Sequence, residues 1–434
     1  MADDQVVQID PFVEYGNSGL KSSGGILQEE FLKDLEGQKA YKAFREMRDN
    51  DPVIGAILFA IDMLCRQVTY HVEASPLDTT GEWATFVEGC FHDMATSWQD
   101  TLTSIFSFLP FGWAYHEVVY KRRQGPQDEL DLAAPASSAY DDGMVGWRKI
   151  PLRSQDTLFR WELDEKGGVA GMWQLSPPTY QAVFIPIQKA LLFRTTTQKS
   201  SPEGRSVLRN AYRPWYYKRR VEDIEGVGIE RDLAGLPVME VPARLFESTS
   251  SAADKAVYAS LQQLVRNIRR DEQEGILMPQ AFDDNGNKQY ELKLLTTGGK
   301  RQFDTDSIIA RYDQRIAMTV LADFILLGHE KVGSFQLGTA KVELFATALT
   351  AWLDSVCGVF NSHAIPRLMR LNGVDEKFAP TLEHGDVERA DLKELGMYIL
   401  QLSQAGAPLF PDQDLQDRLR EIAGLPIQKQ TEEL

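Results

Sequence analysis

From Gly204 to Pro237, apolar residues recur at helical spacing through a stretch that is otherwise densely charged. Val207, Leu208, Ala211, Tyr212 and Trp215 fall on one helical period, Gly204 and Ser206 are suited to capping a start, and Gly235 and Pro237 punctuate the end. The pattern predicts one long helix. Pro214 removes a backbone donor, so the helix kinks there or begins near Trp215. Its charges are sorted by sign, with Arg213, Lys218, Arg219 and Arg220 preceding Glu222, Asp223, Glu225, Glu230 and Asp232. A helix polarised in this way suits packing beside copies of itself. Val221, Ile224, Val227, Ile229 and Leu233 form only a narrow apolar stripe, thin for a core helix and adequate for a subunit contact. A long solvated surface helix is the plain alternative.

Ahead of this stretch the period changes repeatedly. Residues 28–48, 51–66 and 80–108 carry helical spacing, with Asp51-Pro52 supplying a cap and first position for the second. Between them, Val68, Tyr70 and Val72 alternate as in a strand, and another strand begins near Trp113 in AYHEVVYKRR. After a polar loop over 124–145, short strands recur in WRKIPLR, TLFRWEL, VAGMWQLS and AVFIPIQKALLFRT. The segment from Asp164 to Gly168 reads as a hairpin turn between two of them.

Beyond Pro237 come a strand-like VMEVPARLF, an amphipathic helix over 252–274, and two strands, ILMPQAF and KQYELKLLT, flanking a DDNGN turn. A second long helix is predicted from Asp304 to residue 327, capped by Asp304 or Asp306 and stopped by Gly328. The order describes a compact α/β module inserted between two long helices. A Gly-punctuated segment over 328–339 precedes a helix at 340–362, a short IPRLMRLNG, an acidic link and helices near 390–404 and 412–423.

Composition narrows the class. With 434 residues, 43% hydrophobic and 25% charged, the chain has material for several domains and a sizeable core. No apolar run reaches the roughly 18 residues of a membrane span, and the acidic MADDQVVQIDPF lacks the basic and apolar character of a secretion leader. Cys65, Cys90 and Cys357 stand apart in apolar contexts without CxxC spacing, as buried reduced thiols do. A net charge of −17 argues against tight wrapping of nucleic acid, yet suits a surface along which DNA slides without sticking.

The search for catalytic chemistry is negative. Gly204-Arg205-Ser206-Val207-Leu208 lacks the second glycine of a nucleophile elbow, and no phosphate-cradling Gly-rich loop ends in Lys-Ser/Thr. The six histidines are scattered without metal-ligand spacing. Asp283 and Asp284 resemble a metal-binding carboxylate pair, but the DDNGN context wants Asp, Asn and Gly for turn geometry alone. His116 and Glu117 point to opposite faces of a strand, which weakens an acid–base reading. No cofactor is called for.

As an ordered set, DPVIGAILFAID followed by a strand, FLPFGWAYHEVVYKRR, GRSVLRNAYRPWYYK…ERDLAGLP and YDQRIAMTVLADFILLGHEKVGSFQLGTAKVELF resemble the portal, or head-to-tail connector, proteins of tailed bacteriophages, closest to the Mu-like branch. The likeness covers roughly residues 30–385. It implies an α+β portal-type fold with an α/β wing, two long stem helices framing a channel, a small α/β clip inserted between them and a short helical crown. On this sequence the resemblance gives a flexible arm at 1–26, wing at 27–203 and 340–383, stem at 204–235 and 304–327, and clip at 236–303. The tunnel loop is 328–339, the crown 384–425 and the disordered tail 426–434.

The function implied is a non-enzymatic dodecameric ring at one capsid vertex, assembled in the host cytoplasm. Double-stranded DNA is packaged through it by a terminase motor and later ejected, without sequence readout. Neck or adaptor and major capsid proteins are the other implied partners, and no membrane is involved. Lys218, Arg219 and Arg220 would meet Glu222, Asp223 and Glu225 of a neighbouring copy. Lys331, Ser334, Gln336 and His329 would line the tunnel loop and touch phosphates transiently. The competing readings are a metal-dependent nucleic-acid enzyme using Asp283 and Asp284, and a monomeric minor head or adaptor protein.

Overall fold

The computed structural model describes residues 12, 14–127, 136–234, 236–245, 251–267, 282, 286, 288, 290–295, 304–319 and 335–387. The chain divides into two compact units, Met1–Tyr212 with Ile316–Leu434, and Arg213–Arg315. Helices are mixed with small sheets in which every described pairing is antiparallel, an α+β arrangement.

The first unit opens with the hairpin β1 (Ser22–Ser23) and β2 (Ile26–Leu27). The helix expected from residue 28 begins later, as α1 (Gln38–Asn50) after a 3-10 turn at Lys33–Leu35. The reason lies in two carboxylates: Glu29 accepts from Lys199 at 2.7 Å and Glu30 pairs with Arg209, which holds this segment as a strap. Helix α2 (Pro52–Gln67) starts where the sequence predicts, because the Asp51 carboxylate accepts from the Val53 and Ile54 N–H groups, both at 3.0 Å.

After β3 (Tyr70–Glu73), the single helical region expected over 80–108 is three helices, α3 (Glu82–His92), α4 (Trp98–Phe106) and α5 (Phe108–Phe111). Ser97 starts α4 afresh by accepting the Asp100 N–H at 3.0 Å. Next come β4 (Trp113–Glu117), β5 (Val119–Arg122), β6 (Val145–Lys149), β7 (Leu152–Arg153), β8 (Leu158–Leu163), β9 (Val169–Leu175), β10 (Ala182–Pro186) and β11 (Ala190–Arg194). The predicted β8–β9 hairpin is present, with Asp164 accepting from the Lys166 and Gly168 N–H groups and Gly167 at φ 83°. Three runs that read as continuous strands are divided between sheets: AYHEVVYKRR into β4 and β5, WRKIPLR into β6 and β7, and AVFIPIQKALLFRT into β10 and β11. Val118 donates to the Lys189 carbonyl at 2.8 Å, separating β4, in the β11-β4-β7 sheet, from β5, which pairs with β6.

The chain reaches its long helix through a tight junction. A Cβ on Gly204 would lie 2.3 Å from the Gly112 carbonyl oxygen, so Gly204 serves close backbone approach. Ser206 caps a 3-10 turn at Val207–Arg209 and also donates to the Pro110 carbonyl at 2.6 Å. Helix α6 (Tyr212–Ala234) therefore begins eight residues after Gly204 and carries Pro214 in its first turn, where a missing N–H breaks no helical bond.

The second unit continues with β12 (Leu236–Glu240), α7 (Ala252–Asn267), β13 (Glu291–Leu295) and α8 (Thr305–Met318). Strand β13 pairs with β12, and a bridge joins Phe282 and Lys288 across the Gly286 turn; residues 276–281 of the expected hairpin lie outside the described residues. Asp304 caps α8, accepting from the Ser307 N–H at 3.3 Å. A turn at Thr319 follows α8, and the remainder of the helix expected to residue 327 lies outside the described residues, as do the helices expected at 390–404 and 412–423.

Helix α9 (Phe335–Val359) starts inside the segment expected as loop, and its junction with α10 (Ile365–Leu371) is a π-helical turn at Phe360–Ala364. Leu344–Leu371 is long and apolar enough by composition to span a bilayer. Leu349, Leu353, Val356, Phe360 and Leu368 are nevertheless buried in the first unit's core, packed with Ile61, Phe91, Trp147 and Phe193. Phe91 centres an aromatic cluster, with ring centroids 4.8 Å from both Trp98 and Trp147. Finally β14 (Thr381–His384) pairs with β3, so segments on both sides of the second unit share one core.

Candidate functional site

The charged helix α6 and its partner α8 make the candidate site. Lys218 is only 2% exposed, and its ammonium stands 2.6 Å from an Asp313 carboxylate oxygen and 3.9 Å from Glu222 one turn on. Thr305 at the start of α8 donates to the Glu225 carboxylate. The two bridges run from 218 to 225 on α6 and from 313 back to 305 on α8, so the helices are antiparallel. Their partners sit about two turns apart on each helix, which places both on one face.

The rest of α6 is differently engaged. Arg219 lies over the Trp215 ring at 5.8 Å and Arg220 over Tyr216 at 4.7 Å, each one turn back along the helix. Tyr217, Ile224 and Val227 are 52%, 70% and 47% exposed, so Ile224 and Val227 of the stripe seen in the sequence stay outside the protomer's core. Gly226 and Gly228 have open space where a side chain would project. On the neighbouring β12–β13 pair, Lys293 reaches Glu240 at 2.8 Å and Glu291 at 3.3 Å, and these carboxylates raise its pKa.

Of the residues singled out in the sequence, Lys218, Arg219, Arg220, Glu222, Asp223 and Glu225 are together on α6. His329, Lys331, Ser334, Asp283 and Asp284 lie outside the described residues, and Gln336 is in the first turn of α9. Asp313 and Thr305 were not legible as partners of α6, since nothing local to α8 marks them. The heptad-like apolar spacing of α8 only signals a packed face.

Two residues weighed for acid–base chemistry, His116 and Glu117, have structural surroundings. His116 is fully buried; burial pushes its pKa down to about 4, against hydrogen bonding that favours the charged form. Its Nδ1–H donates to the Ile150 carbonyl at 2.9 Å, which fixes the tautomer, and Nε2 is buried without a partner. Glu117, on the opposite strand face, pairs with Arg153. Among the described residues, no group of three or more His, Cys, Asp or Glu side chains converges to hold a metal ion.

A family model for the portal protein of Mu bacteriophage matches residues 41–421. The chain belongs to this portal protein family. It is a bacteriophage portal protein. Solved structures give the same fold. A chain from the "Virion of native gene transfer agent (GTA) particle" aligns with TM-score 0.51 at 10% identity, covering 94% of this portal chain and 97% of that one. Chains from the "Neck of empty GTA particle computed with C6 symmetry" and the "Neck of native GTA particle computed with C12 symmetry" align with TM-score 0.50 at 11% and 12% identity. Each covers 89% of this chain and 94% of its own length. No curated protein matches the portal chain.

Proposed function

We propose that twelve copies of this chain close into a ring around a channel, at one vertex of the capsid, through which double-stranded DNA is packaged and later ejected. The match to the Mu portal family over residues 41–421 carries the reading, and likeness to a neck solved with C12 symmetry supports the number. In this reading the protein is a structural part, not an enzyme.

Helices α6 and α8 are the stem segments that frame the channel, residues 236–303 are the clip, 27–203 and 340–383 the wing, and 384–425 the crown. Exposed Ile224 and Val227, with the sign-sorted charges beside them, support α6 as a subunit contact. Arg219 and Arg220 of one copy face Glu222 and Asp223 of the next, in the head-to-tail contact that a closed ring repeats. Lys218, spent on Asp313, acts by holding α6 against α8. The tunnel loop carries His329, Lys331 and Ser334 towards the DNA, with Gln336 at its helical margin; a ring of single lysines touches phosphates without reading sequence. The net charge of −17 favours a channel from which DNA is repelled enough to slide.

The terminase motor, neck or adaptor proteins and the major capsid protein are the partners this role requires, and the virion its location, after assembly in the host cytoplasm. Native mass measurement and top-view imaging of the purified protein test the proposal. Rings with a central hole are expected; monomers alone under assembly conditions would sink it.

A further inference from the structure

A cavity of about 190 Å³ in the first unit has four apolar wall residues, Val169, Ile187, Ala190 and Leu192, together with the cation Arg194 and the imidazole of His363. Arg194 donates to the Ser201 carbonyl at 2.8 Å, and Arg367 donates to the carbonyl of the wall residue Ala190 at 2.6 Å. Among the described residues, neither arginine has a carboxylate within ion-pair distance. Desolvation pushes both guanidinium pKa values down, and their charges add to burial in pushing that of His363 down. Partly buried cations with no counter-charge among the described residues cost free energy, and a ligand anion relieves that cost.

A second observation points to the same place. His363 sits in the π-helical turn between α9 and α10, a widened turn of the kind concentrated at functional sites. The turn lets His363 line the cavity while Phe360 and Ala364 on either side stay fully buried.

We propose that this cavity is a carboxylate-binding site, filled in the assembled ring by an aspartate or glutamate side chain of a second copy of the chain. The inference rests on the ring reading above. Apolar walls around a cationic end suit a short aliphatic stem carrying a carboxylate, and suit a fully hydrated phosphodiester poorly. The chain has 63 acidic residues against 46 basic ones, so a neighbour is rich in the required group. A head-to-tail ring brings two different patches together at each contact, which allows the cavity and its ligand to lie on opposite sides of the protomer.

The test uses the full chain carrying Arg194→Lys, assembled from an equal mixture of light and nitrogen-15-labelled protein. A carbodiimide then joins the introduced amine directly to any carboxylate in contact, and peptide mass spectrometry reads the isotopes. Rings that yield a mixed-isotope cross-link at position 194 support the proposal and identify the acidic residue. Rings that yield only same-isotope cross-links, or none, overturn it and leave the ring reading standing. Absence of rings from the unmodified chain overturns both. As a companion, Arg194→Gln is expected to weaken subunit association roughly tenfold or more, the effect of losing one charge-assisted hydrogen bond. An assembly constant equal to that of the unmodified chain overturns the assignment.

Discussion

The ammonium of Lys218 and the carboxylate of Asp313 meet at 2.6 Å between α6 and α8, with the lysine side chain 3% exposed and the aspartate 22%. The pair ties α6 to α8. Lys218→Glu places a second carboxylate against Asp313 and removes the matching charge, a change that costs about 3 kcal/mol or more when the pair is buried. Denaturant unfolding should show that loss, and restoration by the exchanged pair Lys218→Asp with Asp313→Lys should be partial. A Lys218→Glu protein as stable as the original would remove the pair from any account of how α6 is held to α8.

Arg220 should behave in the opposite way. It lies over the Tyr216 ring one turn away on the same helix, a contact worth about 0.5–1 kcal/mol. The change Arg220→Glu is therefore expected to leave the folded protomer largely intact and to lower the fraction of rings in native mass spectra. Normal rings from this variant would place the subunit contact elsewhere.

His116 predicts an acid limit. Its pKa falls to about 4 in the folded chain, against an ordinary value of about 6.5. The unfolded chain thus binds more protons between those values, so stability is complete above about pH 6.5 and declines as pH falls, levelling off below about 4. The size is about 3 kcal/mol by linkage, at about 1.4 kcal/mol per pH unit. His116→Asn should flatten this part of a stability-against-pH curve; an unchanged slope would assign the acid sensitivity to other groups.

The three thiols supply a probe of the core. Burial raises Cys65 to about 12, Cys90 to about 11 and Cys357 to about 12, leaving almost no thiolate near neutral pH. An aromatic disulfide reagent at about pH 8 should find no reactive thiol until the protein unfolds, then three. Rapid labelling of the native chain would contradict the packing around α2, α3 and α9.

Local chemistry made some of this readable. Asp51-Pro52 announced α2, and the Asp164 to Gly168 turn announced the β8–β9 hairpin, because each carries its own hydrogen-bond acceptor or dihedral preference. What escaped was set at a distance. The strap at 28–37 looks helical until Glu29 and Glu30 are seen to reach Lys199 and Arg209. The run AYHEVVYKRR reads as one strand until Val118 is diverted to Lys189. In the candidate site, the sorted charges of α6 were visible, but the choice of Lys218 as the paired one depends on Asp313, which the sequence places far away. Spacing along one helix cannot reveal which charge a second helix will neutralise.

The pairing of β14 with β3, Thr381 opposite Glu73, also sets a schedule for synthesis. Until the ribosome has made α9, α10 and β14, the early helices have no Leu349, Leu353 or Phe360 to pack against, whereas Arg213–Arg315 is by then already complete. Contacts this distant in sequence form late and close slowly, since a long loop must be ordered before they give any return. A nascent portal chain thus carries a fully synthesised insert on an unfinished body, and a truncated product stopping before α9 would expose core surface.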